Sequence, residues 1–194
     1  DHPAIWPAVA EALYRIRRAE KLSGEADFAM VKDVTAAQPG AAVLRRYSYR
    51  ALETEPNMVL ALDPAWKSYE DYLGALDSKY RKKVKDQAKK LAAAGCTMES
   101  LTSAADLAAL SARLHELYLA VQGNASVRLV TVRANYFAEL ARAAGGDFRC
   151  TVVRRGGEVV GFVTSVRDGE TAIGYYIGFD RAAAAEGIPI YLRL

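Results

Sequence analysis

Histidine and cysteine are scarce in this chain of 194 residues: His2 and His115 are the only histidines, Cys96 and Cys150 the only cysteines. A histidine-based catalytic triad or a zinc site has almost nothing to work with. His115-Glu116 also lacks the second histidine four residues on that a zinc-protease helix needs, so no metal is expected. The two cysteines show neither metal spacing nor a disulfide framework, and we read them as small core groups in a reducing cytoplasm. No apolar run approaches the ~18 residues of a membrane-spanning helix, and no stretch has the make-up of a secretory leader. The net charge is only +3, which by itself demands no nucleic-acid partner. An apolar fraction of 52% and a charged fraction of 25% are ordinary for a globular protein, one large domain or two small lobes sharing a core. The chain begins at Asp1 and stops at Leu194 inside an apparent helix, from which we expect a piece of a longer protein with elements missing at both ends.

The most informative stretch runs from Asp147 to Tyr191. Phe148–Arg154, Val159–Arg167 and Glu170–Gly178 are rich in β-branched and aromatic residues. Arg155-Gly156-Gly157-Glu158 and Asp168-Gly169 separate them, which is the pattern of two hairpins. Ile173, Tyr175, Ile177 and Phe179 recur at period two. A small-residue loop follows, Asp180-Arg-Ala-Ala-Ala-Ala-Glu-Gly187, and Ile188-Pro189 opens a helix, where a proline's missing donor costs nothing. Strand, loop and helix start in this order would present free backbone N–H groups to an anion such as a pyrophosphate. The plainer reading of the same residues is a β-meander followed by a packing helix.

The second informative stretch is Trp66–Leu91. Tyr69, Tyr72, Leu73, Leu76, Tyr80, Val84, Ala88 and Leu91 keep one apolar helical face. Asp77-Ser78 marks a break with a fresh cap, giving two helices. From Ser78 to Lys90 the basic residues are Lys79, Arg81, Lys82, Lys83, Lys85, Lys89 and Lys90, against the single acid Asp86. Such a helix attracts phosphates, whether of CoA, a nucleotide-linked sugar, tRNA or lipid; it also reads as a solvated lysine face. Arg81, Lys82 and Lys85 are the candidates to hold a phosphate-bearing substrate.

Elsewhere, helical spacing over Trp6–Leu22 predicts a helix stopped by Ser23-Gly24. Asp27–Val34 and Asn57–Leu62 have strand character, and Ala41–Tyr49 fits a short helix or a strand entry. Gly95 closes the basic helix, Cys96–Leu101 is strand-like, and Ser103 caps a helix that carries Leu107, Leu110, Leu114, Leu117, Tyr118 and Val121. Gln122–Leu129 is a polar loop. Val132–Ala144 is a further helix ended by Gly145-Gly146.

Two of these stretches resemble a known family. Trp66-Lys-Ser-Tyr-Glu-Asp-Tyr-Leu-Gly-Ala-Leu-Asp-Ser-Lys-Tyr-Arg-Lys-Lys-Val-Lys resembles the W-x-[SF]-x-E-D-Y-L-x-x-L-x-S-K-x-R-[KR] segment of FemAB/BioF2-like proteins in the GNAT acyltransferase superfamily. Val152-Val-Arg-Arg-Gly-Gly-Glu-Val-Val-Gly161 and Gly174-Tyr-Tyr-Ile-Gly-Phe-Asp180 resemble their central strands. The resemblance runs from about Ala42 to Leu194. It implies an α/β (α+β) fold with a mixed, mostly antiparallel sheet flanked by helices, in up to two GNAT-like lobes. Residues 1–95 would be part of the first lobe, ending in the basic helix, and 96–194 a second lobe truncated at its C-terminus.

The implied activity is N-acyl transfer from acyl-CoA or an aminoacyl-tRNA to the amine of a small or cell-envelope acceptor. Acyl-CoA would be a cosubstrate rather than a tightly bound cofactor. The implied donor site is the junction after the fourth strand, with Gly178, Arg181, Glu186, Gly187 and Ile188. There the family pattern [RQ]-x-x-G-x-[GA] is replaced by a segment with one glycine and the acid Glu186. Acyl transfer also needs a donor for the oxyanion and a route for the amine's proton. Tyr175 and Tyr176, expected on opposite faces of the strand, and Asp180 are the candidates; packing roles for the tyrosines and turn or cap roles for Asp180 and Glu186 are the plainer alternatives. A non-catalytic module that holds a phosphorylated or nucleic-acid partner on the basic helix is the rival reading.

Overall fold

The computed structural model describes residues 4–24, 28–32, 34–35, 37–52, 58–124 and 130–193. The chain divides into two compact units, Asp1–Ala61 and Leu62–Leu194.

In the first unit, α1 (Ile5–Ser23) ends at Gly24, whose φ of 76° lets its amide close the last turn. A 3-10 helix, Pro39–Tyr47, resolves the ambiguity at Ala41–Tyr49. Ala10, Ala41 and Leu44 form a small core between them, with Trp6, Leu13 and Tyr47 packed around it. The two strands expected here are corrected. Phe28–Lys32, the continuously described part of the first, has no regular structure, and Met58–Leu62 is irregular and exposed. Among the described residues of this unit no strand is present, so neither run has a partner to satisfy its backbone, and an isolated strand does not hold in water. The remaining residues of both runs lie outside the described residues.

The second unit is a four-stranded antiparallel sheet in the order β1-β2-β3-β4, formed by β1 (Cys96–Leu101), β2 (Phe148–Arg155), β3 (Glu158–Asp168) and β4 (Thr171–Phe179). This is the mixed α/β architecture the motifs imply. Strand alternation sends Phe148, Cys150 and Val152 to one face and Val153 to the other. A bulge follows, in which Val153 pairs with Gly161 but Arg154 with Val159. The extra residue re-phases β3, so Val159 and Phe162 share one face while Val160 joins the opposite one.

On the first face lie α4 (Ala104–Ala109), α5 (Ser111–Gln122) and α6 (Tyr136–Ala144), contributing Leu107, Leu114, Leu117 and Phe137 to the larger core. The single helix expected over 103–121 is broken at Leu110, and no residue type at the break accounts for it. The helix expected from Val132 starts instead at Tyr136. The Val132 carbonyl is bound to His115 Nε2 at 2.9 Å and its amide donates to the Tyr118 hydroxyl at 3.4 Å, which holds that residue out of the helix.

On the second face, α3 (Ser78–Ala93), α7 (Arg181–Ala185) and α8 (Ile190–Arg193) pack through Leu91, Ala183 and Ile190, with Ile188 from the link between α7 and α8, against Val153 and Val160. Ser68 and Asp71 close a reciprocal capping box on α2 (Tyr69–Ala75), ahead of the break at Asp77. The basic helix α3 packs within the unit that begins at Leu62.

Candidate active site

The register of β4 against β3 slips at one point. Val163 pairs with Ile177 and Ser165 with Gly174, so the single residue Thr164 faces both Tyr175 and Tyr176. Thr164 is fully buried and stitches the bulge shut: its hydroxyl accepts from the Tyr176 amide at 2.9 Å and donates to the Tyr176 carbonyl at 3.4 Å. The expectation that the two tyrosines point to opposite faces is corrected by this geometry. A bulge cancels the alternation, and the two rings sit 4.6 Å apart at 68°. Tyr176 is part-buried, edge-on to Tyr118 at 5.5 Å and to Tyr136 at 5.6 Å. Tyr175 is half-exposed. Tyr118 belongs to the core, as its helical position implies.

Two phenols of this cluster, Tyr136 and Tyr176, are shifted towards the protonated form. Burial, and then hydrogen bonding to Tyr175, push the Tyr136 phenol above its ordinary range. Burial and the neighbouring tyrosines also raise that of Tyr176. At neutral pH these groups are donors, not bases. Burial likewise pushes the Cys150 thiol up to about 12, so it is an inert core group rather than a nucleophile.

Asp180 follows β4 and caps α7. Its carboxylate accepts from the amides of Ala182 at 2.8 Å and Ala183 at 3.4 Å and pairs with Arg113 at 3.1 Å. Partial burial opposes ionisation, but the two amides and Arg113 outweigh it and hold the carboxyl below its usual range. Arg113 also donates to the Val159 carbonyl at 2.8 Å and pairs with Glu116 at 2.8 Å, tying α5 to β3 and to the cap of α7. The small-residue loop expected over 180–187 is thus a capped helical turn. Its amides do not stand free as expected: those of Ala182 and Ala183 go to Asp180, Glu186 to Ala182 O, and Gly187 to Ala184 O.

Glu186, the acid that departs from the family pattern, is neutralised by Arg155 at 2.8 Å. Gly178 is buried where α5 crosses β4. A Cβ there would come within 2.4 Å of the Phe162 ring and 2.7 Å of the Leu117 backbone, so its place is a packing one. Arg181 is exposed at the start of α7.

The remaining candidates meet in one cleft. Gly187 and Ile188, with Pro189 and Tyr191, form one wall; Lys79, Lys82, Lys83 and Lys90 of α3 form the other, around about 650 Å³. Of the three substrate-binding candidates, only Lys82 lines it. Arg81 instead donates to the Gly74 carbonyl at 3.1 Å, bridging α2 and α3, and Lys85 is exposed outside the cleft. Among the described residues no group of His, Cys, Asp and Glu is arranged to hold a metal, and no helix is long and apolar enough to cross a membrane. Thr164 and Arg113 escaped the sequence reading, since a threonine mid-strand and an arginine in a helix carry no signal of a bulge or a cap.

Residues 78–192 match the sequence profile of the acetyltransferase (GNAT) domain, more than half of the chain. The chain belongs to the GNAT acetyltransferase family. The matched segment of this GNAT domain takes in α3, the whole sheet, the tyrosine bulge and both walls of the cleft. No curated protein matches it. Among solved structures it is similar to the C-terminal domain (DUF2156) of a "Putative Lysylphosphatidylglycerol Synthetase" from Agrobacterium fabrum, at 14% identity and a TM-score of 0.43. That similarity covers 62% of this chain and 38% of the other, so the chain spans well under half the length of that protein.

Proposed function

We propose that this GNAT domain moves an acyl group from a thioester donor, acyl-CoA in the first instance, to an amine. The observation that carries the reading is the β4 bulge inside the family-matched segment. It gathers the rings of Tyr175, Tyr176 and Tyr136 into one cluster. In the proposed reaction the amine nitrogen attacks the thioester carbonyl carbon and a C–N bond forms. Tyr175, the most exposed residue of the cluster, donates a hydrogen bond from its hydroxyl to the carbonyl oxygen as it becomes an oxyanion. The C–S bond then breaks, the thiolate leaves and takes a proton, and the nitrogen loses one. Asp180 and Glu186 are both paired with arginines, so the reading has the amine arrive as the free base and release its proton to water.

The finer assignment is a FemAB/BioF2-type enzyme acting on a small-molecule or cell-envelope amine, with an aminoacyl-tRNA as the other candidate donor. It is supported by the Trp66–Lys85 motif that leads into the family-matched segment. Two unpaired thiols fit a reducing compartment, which the reading takes to be the cytoplasm. The rival, a non-catalytic binding module, is favoured by one specific observation: in the segment expected to hold a pyrophosphate, the amides of Ala182, Ala183, Ala184, Glu186 and Gly187 already have acceptors. Thermal unfolding with acetyl-CoA and longer acyl-CoAs separates the two. A saturable rise in Tm is expected for the enzyme; no shift with any thioester, with tight RNA or nucleotide-sugar binding, points to the module or to a tRNA-dependent enzyme.

A further inference from the structure

α1 carries two apolar stripes, and its own unit covers one of them. Trp6, Ala10 and Leu13 pack with the 3-10 helix in the small core. About a third of a turn away round the helix lie Ile5, Val9, Ala12, Ile16 and Ala19, at alternating steps of four and three residues. All five are exposed, Ile5 at 49% and Ile16 at 57%. That spacing is a heptad repeat, the seam along which two helices supercoil. Val9 and Ile16 fall at position a, and Ile5, Ala12 and Ala19 at position d. β-branched residues at a suit a two-stranded parallel coil, and alanines at d let the two backbones come close.

The flanking charges select the orientation. Arg15 stands at g and Glu20 at e of the next heptad, the two positions that meet across a parallel pair. In an antiparallel pair g faces g and e faces e, which brings no opposite charges together, because the only charged residue at g is Arg15 and the only one at e is Glu20. Arg15 pairs with Glu11 along α1 in an exposed contact at 2.7 Å, and Glu11 also accepts from the Tyr47 hydroxyl at 3.0 Å. Among the described residues no ion pair uses Glu20.

We propose that α1 pairs in parallel with α1 of a second copy of this chain, along Val9, Ala12, Ile16 and Ala19, with Arg15 of each copy against the partner's Glu20. The contact is two-fold symmetric, so the charge pair is made twice. The seam is about five turns long and two of its five apolar residues are alanines, so the dimer is weak, with a Kd of about 10–100 µM. The proposal goes beyond the acyl-transfer reading and uses none of the groups given a role in it.

The test is sedimentation equilibrium of the full chain, which should be monomeric at about 1 µM and dimeric at about 1 mM. Ile16→Glu should be monomeric throughout, with an unchanged melting curve at low concentration because the side chain is exposed. Glu20→Arg should weaken the dimer by about fivefold or more at low salt, and adding Arg15→Glu should restore it. Ser23→Cys reads the orientation. A parallel pair sets the two copies of residue 23 side by side, so mild oxidation should give a disulfide-linked dimer; the native Cys96 and Cys150 are buried and do not compete. An antiparallel pair holds them about 27 Å apart and gives none. A monomer at every concentration overturns the proposal, as does a dimer that Ile16→Glu retains or a dimer that Ser23→Cys fails to link. So does binding of anionic lipid vesicles that Ile16→Glu abolishes in a chain that never self-associates, which would make the stripe a membrane face.

Discussion

Tyr175 and Gly178 show how much hangs on single side chains in β4. Replacing Tyr175 by phenylalanine removes one hydroxyl of a half-exposed residue, with its hydrogen bond to Tyr136, and leaves the ring packing in place, so stability should fall by no more than about 1 kcal/mol. If that hydroxyl meets the oxyanion, kcat should fall by about a hundredfold with little change in KM. Gly178→Ala is the opposite case, harmless by chemistry and severe by geometry. The added methyl meets Phe162 on one side and the α5 backbone at Leu117 and Tyr118 on the other, and backbone does not step aside. We expect a loss of about 1–3 kcal/mol in chemical denaturation, or failure to fold, as for overpacking elsewhere. The sequence displayed both residues as members of a Gly-Tyr-Tyr-Ile-Gly motif. It did not display that the second glycine answers to helix packing, because that depends on how closely α5 crosses the strand.

At the scale of elements, the β4 bulge and the α7 cap decide where the site's groups point. Thr164→Val keeps the shape of the side chain but leaves the Tyr176 amide and carbonyl without their buried partner. A destabilisation of about 1–3 kcal/mol is expected. Acyl transfer should also fall, and amide hydrogen exchange at Tyr176 should speed up. The cap makes a pH prediction. Asp180 is held below its usual range in the folded state, so the ion pair and cap contribute stability above the unfolded carboxyl value near pH ~4. That contribution disappears as pH falls through the lowered folded value. Asp180→Asn keeps an oxygen for the cap but not the charge facing Arg113, so the acid limb of its stability curve should be flatter than that of the wild type.

Hairpin turns, caps and helix stops were legible because they are written locally. Gly156-Gly157, Asp168-Gly169, Ser103 and Gly95 each do what their residue type dictates. The bulge was not legible, because it is a relation between two strands. The cap role of Asp180 was legible as the plainer reading of that residue, but the helical turn it closes at 181–185 was not, since a run of alanines beside it read as a loop.

For the molecule as a whole, the second unit carries the family match and the larger core, and the first carries a small one. The apolar run Met58–Leu62 looked like a strand by composition, yet Met58 and Val59 are 88% and 79% exposed. Composition records the preference for a pleated surface, and only the partner strand makes it a strand. Exposed, apolar and without regular structure, this stretch should be the first site cut by thermolysin in limited proteolysis, leaving a fragment that begins near Leu62. Early cleavage inside β2 or β3 instead would contradict the division of the chain into these units. The meeting of the lysine helix with the 187–191 segment was also invisible, since it joins residues about a hundred positions apart through a shared sheet face.

The most direct test of the account is thiol release from acetyl-CoA and longer acyl-CoAs by the full chain, over a panel of primary amines, with Tyr175→Phe in parallel. The account predicts amine-dependent thiol release by the wild type that the variant loses by about a hundredfold while still binding the thioester. Amine-dependent release at the same rate in both proteins would contradict the role given to the β4 bulge, and saturable thioester binding with no release for any amine would contradict acyl transfer itself.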